Sequence, residues 1–133
     1  CLRLVGSEMC IRDRNTSKPI ECLSKKDNER YMAIATSGDY RNFFTFENKR
    51  YSHTLDPKSG FPISNNISSV SVALPGQFRH TGDADALATS LNVMGLDKGY
   101  DFAVKNSIAA LFIFKSENQF SVKMTPSFKN IIN

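Results

Sequence analysis

The chain has 133 residues, of which 41% are hydrophobic and 23% charged, and its formal net charge is +4. This length and composition suit a single globular domain. The cations are interspersed with acids, as in Lys25 and Lys26 beside Asp27, which favours a solvated loop over a nucleic-acid-binding patch. Because no run of 18 apolar residues occurs, the sequence predicts no membrane-spanning helix in this portion.

The first 14 residues are predicted to be foreign to the protein. Residues 1–14 end in MCIRDR, which resembles the conceptual translation of an adapter used in DNA library preparation. Like an expression tag, such a segment is not expected to belong to the natural fold. The alternative is a genuine N-terminal strand at residues 2–6. Without this segment Cys22 is the one remaining cysteine, so no internal disulfide is expected.

The rest of the chain predicts an α+β fold, with a mainly antiparallel sheet and helices packed on one face. Residues 15–30 are polar, contain Pro19 and predict a loop. Alternating or continuous apolar runs predict strands, and a longer segment ending at Gly95 predicts a helix that begins after an Asp83 cap. The predicted strands are residues 31–37, 43–46, 50–55, 67–74, 109–114 and 120–124, and a second helix is predicted over 97–105.

The first predicted helix carries the clearest chemical signal. Asp85 and Thr89 lie four residues apart, so on a helix their side chains are neighbours and can bind one small cation together. Two oxygen ligands without histidine or cysteine favour Mg²⁺ or Ca²⁺ over zinc. Mg²⁺ commonly takes its remaining ligands from water and substrate phosphate. The alternative is that Asp85 only stabilises the helix N-terminus and Thr89 is a surface residue.

The surroundings of this pair are predicted from helical periodicity. The opposite side of the helix, with Leu87, Leu91 and Met94, is expected to pack on the sheet. Small residues are expected to let a ligand or another segment approach the pair. They are Ala84, Ala86, Ala88 and Ser90.

Two loops carry further candidate residues. His53 lies at a predicted strand end, where a histidine can accept a proton from an attacking hydroxyl near neutral pH; the alternative is an exposed strand-end residue. Asp56, in the following loop, either orders that loop through its own backbone or helps to hold substrate. Ser37, Gly38 and Asp39 form a predicted turn whose hydroxyl and carboxylate are suited to ligand binding.

Three segments, taken together and in this order, resemble the C-terminal half of ApbE-type FAD:protein FMN transferases. They are ATSGDY at residues 35–40, YSHTLDPKSGFP at 51–62 and ADALATSLNVMG at 84–95, and the likeness runs from about Met32 to Phe114. The resemblance implies that residues 15–133 are the C-terminal part of a flavin transferase domain, a larger T-fold-like domain.

The resemblance also implies an activity and residue roles. Such enzymes attach the FMN half of FAD, through its phosphate, to a threonine hydroxyl of a partner protein, and AMP leaves. Asp85 and Thr89 would then be ligands of Mg²⁺, and His53 would be the residue essential for transfer, acting as the base. Asp56 and the turn of Ser37, Gly38 and Asp39 would help to shape the FAD pocket.

Partners and location follow from the same resemblance. The expected partners are FAD and a flavoprotein subunit of a membrane electron-transfer or sodium-pumping complex. The expected location is the periplasmic side of a bacterial inner membrane, often through a lipid anchor. The upstream half of the family domain is absent, so the fragment alone is expected to be inactive; Ser59 replaces a commoner threonine but keeps the hydroxyl. Two alternatives stay open, which are hydrolysis of FAD to FMN and AMP and a non-catalytic FAD-binding module.

Overall fold

The structure is a computed structural model that describes residues 3–5, 8–12, 19–24, 32–38, 43–47, 49–75, 81–117 and 119–132. Its strands are β1 (Arg3–Val5), β2 (Glu8–Arg12), β3 (Pro19–Ser24), β4 (Met32–Gly38), β5 (Phe43–Phe46), β6 (Lys49–Ser52), β7 (Ile67–Pro75), β8 (Ala109–Ser116) and β9 (Gln119–Met124). Its helices are α1 (Thr81–Met94), α2 (Leu96–Lys105) and α3 (Pro126–Ile132).

The central element is a four-stranded antiparallel sheet in the order β4-β7-β8-β9. Successive side chains of a strand point to opposite faces, and here both faces are covered. On one face Val70, Val72 and Phe112 are completely buried, and on the other Ala73 and Leu111 are. This double burial explains why the second half of β7 is apolar without interruption from Val72 to Leu74.

The helices cover the sheet from both sides. α1 and α2 pack on the face of Val70 and Phe112, as the predicted arrangement requires. α3, which the sequence pattern did not predict, packs on the opposite face through Phe128, which is completely buried against Leu111. The α+β class and the mainly antiparallel sheet are therefore confirmed, with one short helix added on the second face.

Thr125 explains why α3 begins where it does. Its Oγ1 donates to the carbonyl of Ile108 at 2.9 Å and accepts the amide of Phe128 at 3.3 Å. Threonine before a first-turn proline is a favourable helix start, because the hydroxyl satisfies an amide that the helix leaves without a partner. The buried hydroxyl thus begins α3 and ties it to the start of β8, where it also accepts the amide of Ala110 at 2.9 Å.

Several predicted boundaries need correction. Residues 15–30 are not all loop, because they contain β3, and β6 ends at Ser52 rather than at residue 55. α1 begins at Thr81, which places Asp83 inside the first turn instead of at the cap. β1 and β2 lie within the segment predicted to be adapter-derived, and strand pairing does not test the origin of that segment.

The side of α1 that packs on the sheet agrees with the prediction at Leu91, which is buried, and at Leu87, which packs partly buried against the core, but not at Met94. Ala84, Ala88, Leu91 and Asn92 are buried, whereas Met94 is 39% exposed. The small residues Ala84 and Ala88 therefore bring the helix close to the sheet and do not make room for a ligand. Because two of the four buried residues of α1 are alanine, the buried stripe has few of the large apolar residues on which a periodicity argument depends.

We expect Gly99→Ala to destabilise the protein by about 1–3 kcal/mol, as overpacking commonly does. A Cβ at Gly99 would lie 2.7 Å from the backbone carbonyl oxygen of Leu91, so α2 would have to move away from α1. Gly82→Ala in α1 is the matched control, because a Cβ there meets nothing within 4 Å. Urea denaturation should show Gly82→Ala neutral or more stable, since alanine favours helix. Equal midpoints for the two variants would contradict the close contact.

Candidate functional site

The loop that follows β6 is ordered by Asp56. The Asp56 carboxylate accepts the backbone amide of Lys58 at 3.0 Å and the hydroxyl of Ser59 at 3.1 Å. The Gly60 amide donates to the Asp56 carbonyl at 2.8 Å, and Gly60 has a φ of 70°, which favours glycine. The amide of Asp56 in turn donates to the carbonyl of Phe61 at 2.9 Å. Asp56 therefore does what the first of its two predicted roles requires, and substrate contact stays a prediction.

These bonds shift the acidity of Asp56. The pKa of its carboxyl lies below the ordinary value of 3.8, chiefly because the Lys58 amide bonds the charged form and then because the Ser59 hydroxyl does. A lowered pKa means that the loop is stabilised by the ionised carboxylate above about pH 4, and that this stabilisation is lost as pH falls through the lowered pKa.

We therefore expect an NMR titration to place the midpoint of the Asp56 carboxyl below 3.8. Ser59→Ala should move the midpoint back toward the ordinary value, because one hydrogen bond to the carboxylate is lost. A Ser59→Ala titration that coincides with that of the wild type would show that the hydroxyl contact does not form in solution.

His53 lies immediately after β6, on the first leg of this loop, and its side chain is exposed. Its two neighbours, Ser52 and Thr54, are buried. The Ser52 hydroxyl accepts a hydrogen bond from the backbone amide of Thr54 at 3.0 Å. The Thr54 carbonyl accepts the amide of Ile63 at 3.0 Å, which closes the base of the loop. The backbone on either side of His53 is thus fixed while the imidazole faces solvent, an arrangement compatible with a proton acceptor.

The predicted turn after β4 is described only in part. Ser37 is buried at the end of β4, and Asp39 lies outside the described residues. Gly38 lies opposite Ser69 of β7, and a Cβ at Gly38 would lie 2.6 Å from the carbonyl oxygen of Ser68. Glycine is thus required by close strand packing at this position, which is a structural reason independent of any ligand.

Thr89 lies one helical turn after Asp85 on α1, as predicted. Asp85 is exposed and Thr89 is half-buried, and within the described parts of the chain neither side chain makes a hydrogen bond or ion pair. The Asp85 carboxylate and the Thr89 hydroxyl are thus available to a cation. Mg²⁺ commonly uses one or two protein oxygens and completes its shell with water and phosphate. Across the described ranges no group of three His, Cys, Asp or Glu side chains converges as a metal site.

Two asparagines that sequence reasoning missed join these elements. The side-chain amide of Asn92, on α1, donates to the Ser37 hydroxyl at 3.5 Å. The side-chain amide of Asn65, in the segment leading to β7, donates to the backbone carbonyl of Asn92 at 2.8 Å. The C-terminal part of α1 is therefore bonded both to the end of β4 and to the chain that follows the His53 loop. The LNVMG stretch held Asn92, but an isolated asparagine in a helix gives no periodic signal.

The comparisons with known proteins agree on one family. The ApbE family model matches residues 8–112. The FAD:protein FMN transferase of Vibrio cholerae is 44% identical over 101 residues, which are 76% of this chain and 29% of that protein. That of Haemophilus influenzae is 39% identical over 100 residues, which are 75% of this chain and 28% of that protein. The chain belongs to the ApbE family.

Solved ApbE structures share the fold described above. The apo form of the Pseudomonas stutzeri flavinyl transferase ApbE matches with a TM-score of 0.65 and 42% identity, over 76% of this chain and 31% of that one. The flavin transferase ApbE of Vibrio cholerae matches with a TM-score of 0.68 and 33% identity, over 96% of this chain and 42% of that one. The chain spans less than half the length of these ApbE proteins.

The structure thus arranges the ApbE motif residues in two groups. Asp85 and Thr89 share one side of α1, and His53 and Asp56 share one loop. The bonds of Asn65 and Asn92 link the two groups through the C-terminal part of α1. The described helices also include none that is long and apolar enough to cross a membrane.

Proposed function

We propose that the full-length protein transfers FMN from FAD to a threonine hydroxyl of a partner flavoprotein in a Mg²⁺-dependent reaction that releases AMP. The observation that carries the proposal is the position of Asp85 and Thr89, one turn apart on α1 with oxygens available, in a chain of a family whose relatives are FAD:protein FMN transferases. By full-length protein we mean the complete natural protein that contains residues 15–133.

The reaction needs a binding site for a pyrophosphate and a proton acceptor. The threonine oxygen forms a bond to the FMN phosphorus, the bond from that phosphorus to the oxygen of AMP breaks, and the hydroxyl proton must leave. Phosphoryl transfer of this kind depends chiefly on positioning and on neutralisation of charge. Asp85 and Thr89 would hold Mg²⁺, which neutralises phosphate charge when bound.

His53 is the proposed acceptor of the hydroxyl proton. Its exposure lets a hydroxyl from a separate protein reach it, and its fixed backbone neighbours keep it in place. Ser37, Gly38 and Asp39 are proposed to line the flavin pocket together with Asp56. The partner is proposed to be a subunit of a membrane electron-transfer or sodium-pumping complex, and the reaction to take place on the periplasmic side of a bacterial inner membrane.

Mass spectrometry of an acceptor domain tests the proposal directly. The full-length protein is incubated with FAD, Mg²⁺ and an acceptor that carries the threonine, with a threonine-to-alanine acceptor and an EDTA-treated sample as controls. We expect an adduct of the mass of FMN on the threonine and release of AMP, and neither in the two controls. Free FMN and AMP without an adduct would identify a FAD hydrolase instead, and unchanged FAD would leave only a flavin-binding module.

A further inference from the structure

Three elements meet at one buried residue. Asn92 is completely buried in α1, where its amide contacts Ser37 at the end of β4 and its backbone carbonyl accepts the amide of Asn65. Ser37, Asn65 and Asn92 are here called the polar junction. The Asn65 side chain also accepts the amide of Ile67 at 3.1 Å, which fixes the chain as it enters β7.

The polar junction has a cost in the free energy of folding. The Asn92 Oδ1 is buried, and no described residue donates to it. A buried amide oxygen without a donor destabilises a protein, whereas an apolar side chain of similar volume in the same place does not carry that cost. Polar groups retained at such a cost can serve conformational specificity, and here the amide holds the end of β4 against one turn of α1.

We propose that the polar junction positions the His53 loop and the end of β4 relative to the cation-binding side of α1, with Asn65 and Asn92 as positioning residues. This inference rests on the proposed function. Thr89 lies one turn before Asn92, and Asp85 lies one turn before Thr89, so the two lie about 4.5 Å and about 10 Å from Asn92 along the helix axis.

The path from Asn65 to His53 is short and bonded. The Ile63 amide bonds the carbonyl of Thr54, the residue that follows His53. Asn65 is two residues beyond Ile63, a span of at most about 7 Å of extended chain. A change in how Asn65 contacts α1 is therefore expected to move the base of the His53 loop. Displacement of a reacting group by about 1 Å is enough to slow a reaction on the order of 100-fold.

Asn65→Asp in the full-length protein tests the link. The variant keeps an oxygen for the Ile67 amide but places a carboxylate against the carbonyl of Asn92. The matched control is Asn66→Asp, because the exposed Asn66 donates to the Lys115 carbonyl at 3.3 Å and so joins the same segment to β8 instead of to α1. We expect Asn65→Asp to lower kcat about tenfold with little change in KM for FAD, and Asn66→Asp to leave both near wild type.

Asn92→Leu gives a second, independent measurement. It removes the buried amide and its bond to Ser37 while the backbone carbonyl remains for Asn65. We expect a melting temperature at or above that of the wild type together with a lowered kcat. A residue with a merely structural role would lose stability and activity together, or neither.

The outcomes separate this inference from the proposed function. No FMN adduct from the wild-type protein would overturn the proposed function and this inference with it. Transfer by the wild type with equal kcat values for Asn65→Asp and Asn66→Asp would overturn the inference alone. A drop in kcat that parallels a drop in melting temperature in Asn65→Asp would also overturn it, because the effect would then be loss of folded protein.

Discussion

Replacing Asp85 with alanine in the full-length protein is expected to reduce FMN transfer about 1000-fold, a loss of roughly 4 kcal/mol of transition-state stabilisation. Asp85 is the one carboxylate of the proposed cation-binding pair, and it lies exposed one turn before Thr89. Without it the pair keeps only a neutral hydroxyl, which is a weak ligand for Mg²⁺ on its own. The measurement is the initial rate of adduct formation by mass spectrometry across a range of Mg²⁺ concentrations.

The chain offers a matched control for this change. Asp97 lies in the first turn of α2, exposed like Asp85, and is not part of the proposed site. Asp97→Ala should transfer FMN at close to the wild-type rate. Thr89→Val should raise the Mg²⁺ concentration needed for half-maximal rate, since it removes a hydroxyl and keeps the shape. If Asp85→Ala retained wild-type rates at all Mg²⁺ concentrations, the metal assignment would be wrong.

His53→Ala is expected to lower kcat for transfer by a factor on the order of 100 to 10,000, the range commonly found when a general base is removed. FAD should still bind, so KM for FAD should change much less than kcat. Fixed-time assays of adduct mass at several FAD concentrations measure both quantities.

Lys58→Met serves as the control within the same loop. The Lys58 side chain is exposed, and the contact that orders the loop comes from its backbone amide, which the substitution keeps. We expect normal transfer from this variant. A His53→Ala protein that differs from the wild type no more than Lys58→Met does would remove His53 from the mechanism.

The elements predicted most accurately are those whose residue pattern and end signals lie in neighbouring residues. The alternation of apolar and polar residues in β7 and the glycine that ends α1 are features of adjacent residues. The structure has both elements within a residue or so of the prediction. The His53 loop is of the same kind, because Asp56, Ser59 and Gly60 order it through bonds only a few residues apart.

The features that were not predicted lack a clear local pattern in the sequence. The hydroxyl of Ser37 meets Asn92 across 55 residues, and no periodicity announces such a pair. α3 is only seven residues long and depends on the Thr125 hydroxyl, so its pattern is too short to stand out. The buried face of α1 was predicted only in part, because two of its four buried residues, Ala84 and Ala88, are alanines, which are compatible with either face.

The site residues differ in how much of their predicted position and role follows from neighbouring residues alone. Asp85 and Thr89 needed only helical spacing to be placed as neighbours, and the structure has them on α1 one turn apart. Gly38 was singled out as part of a ligand-binding turn, whereas its packing against Ser68 and Ser69 gives a separate reason for glycine.

The pairing of β4 with β7 also determines when the site can form during folding. β8 and β9 are joined by a short turn, and α1 and α2 are adjacent in sequence, so both units need little loss of chain freedom. β4 reaches β7 only after the hairpin of β5 and β6 and the His53 loop have been spanned, so we expect its pairing to be a slow, late step. The Ser37 contact with Asn92 therefore reports a chain whose folding is complete, and a nascent or partly folded protein would hold the proposed cation ligands on α1 before it held the proposed flavin pocket.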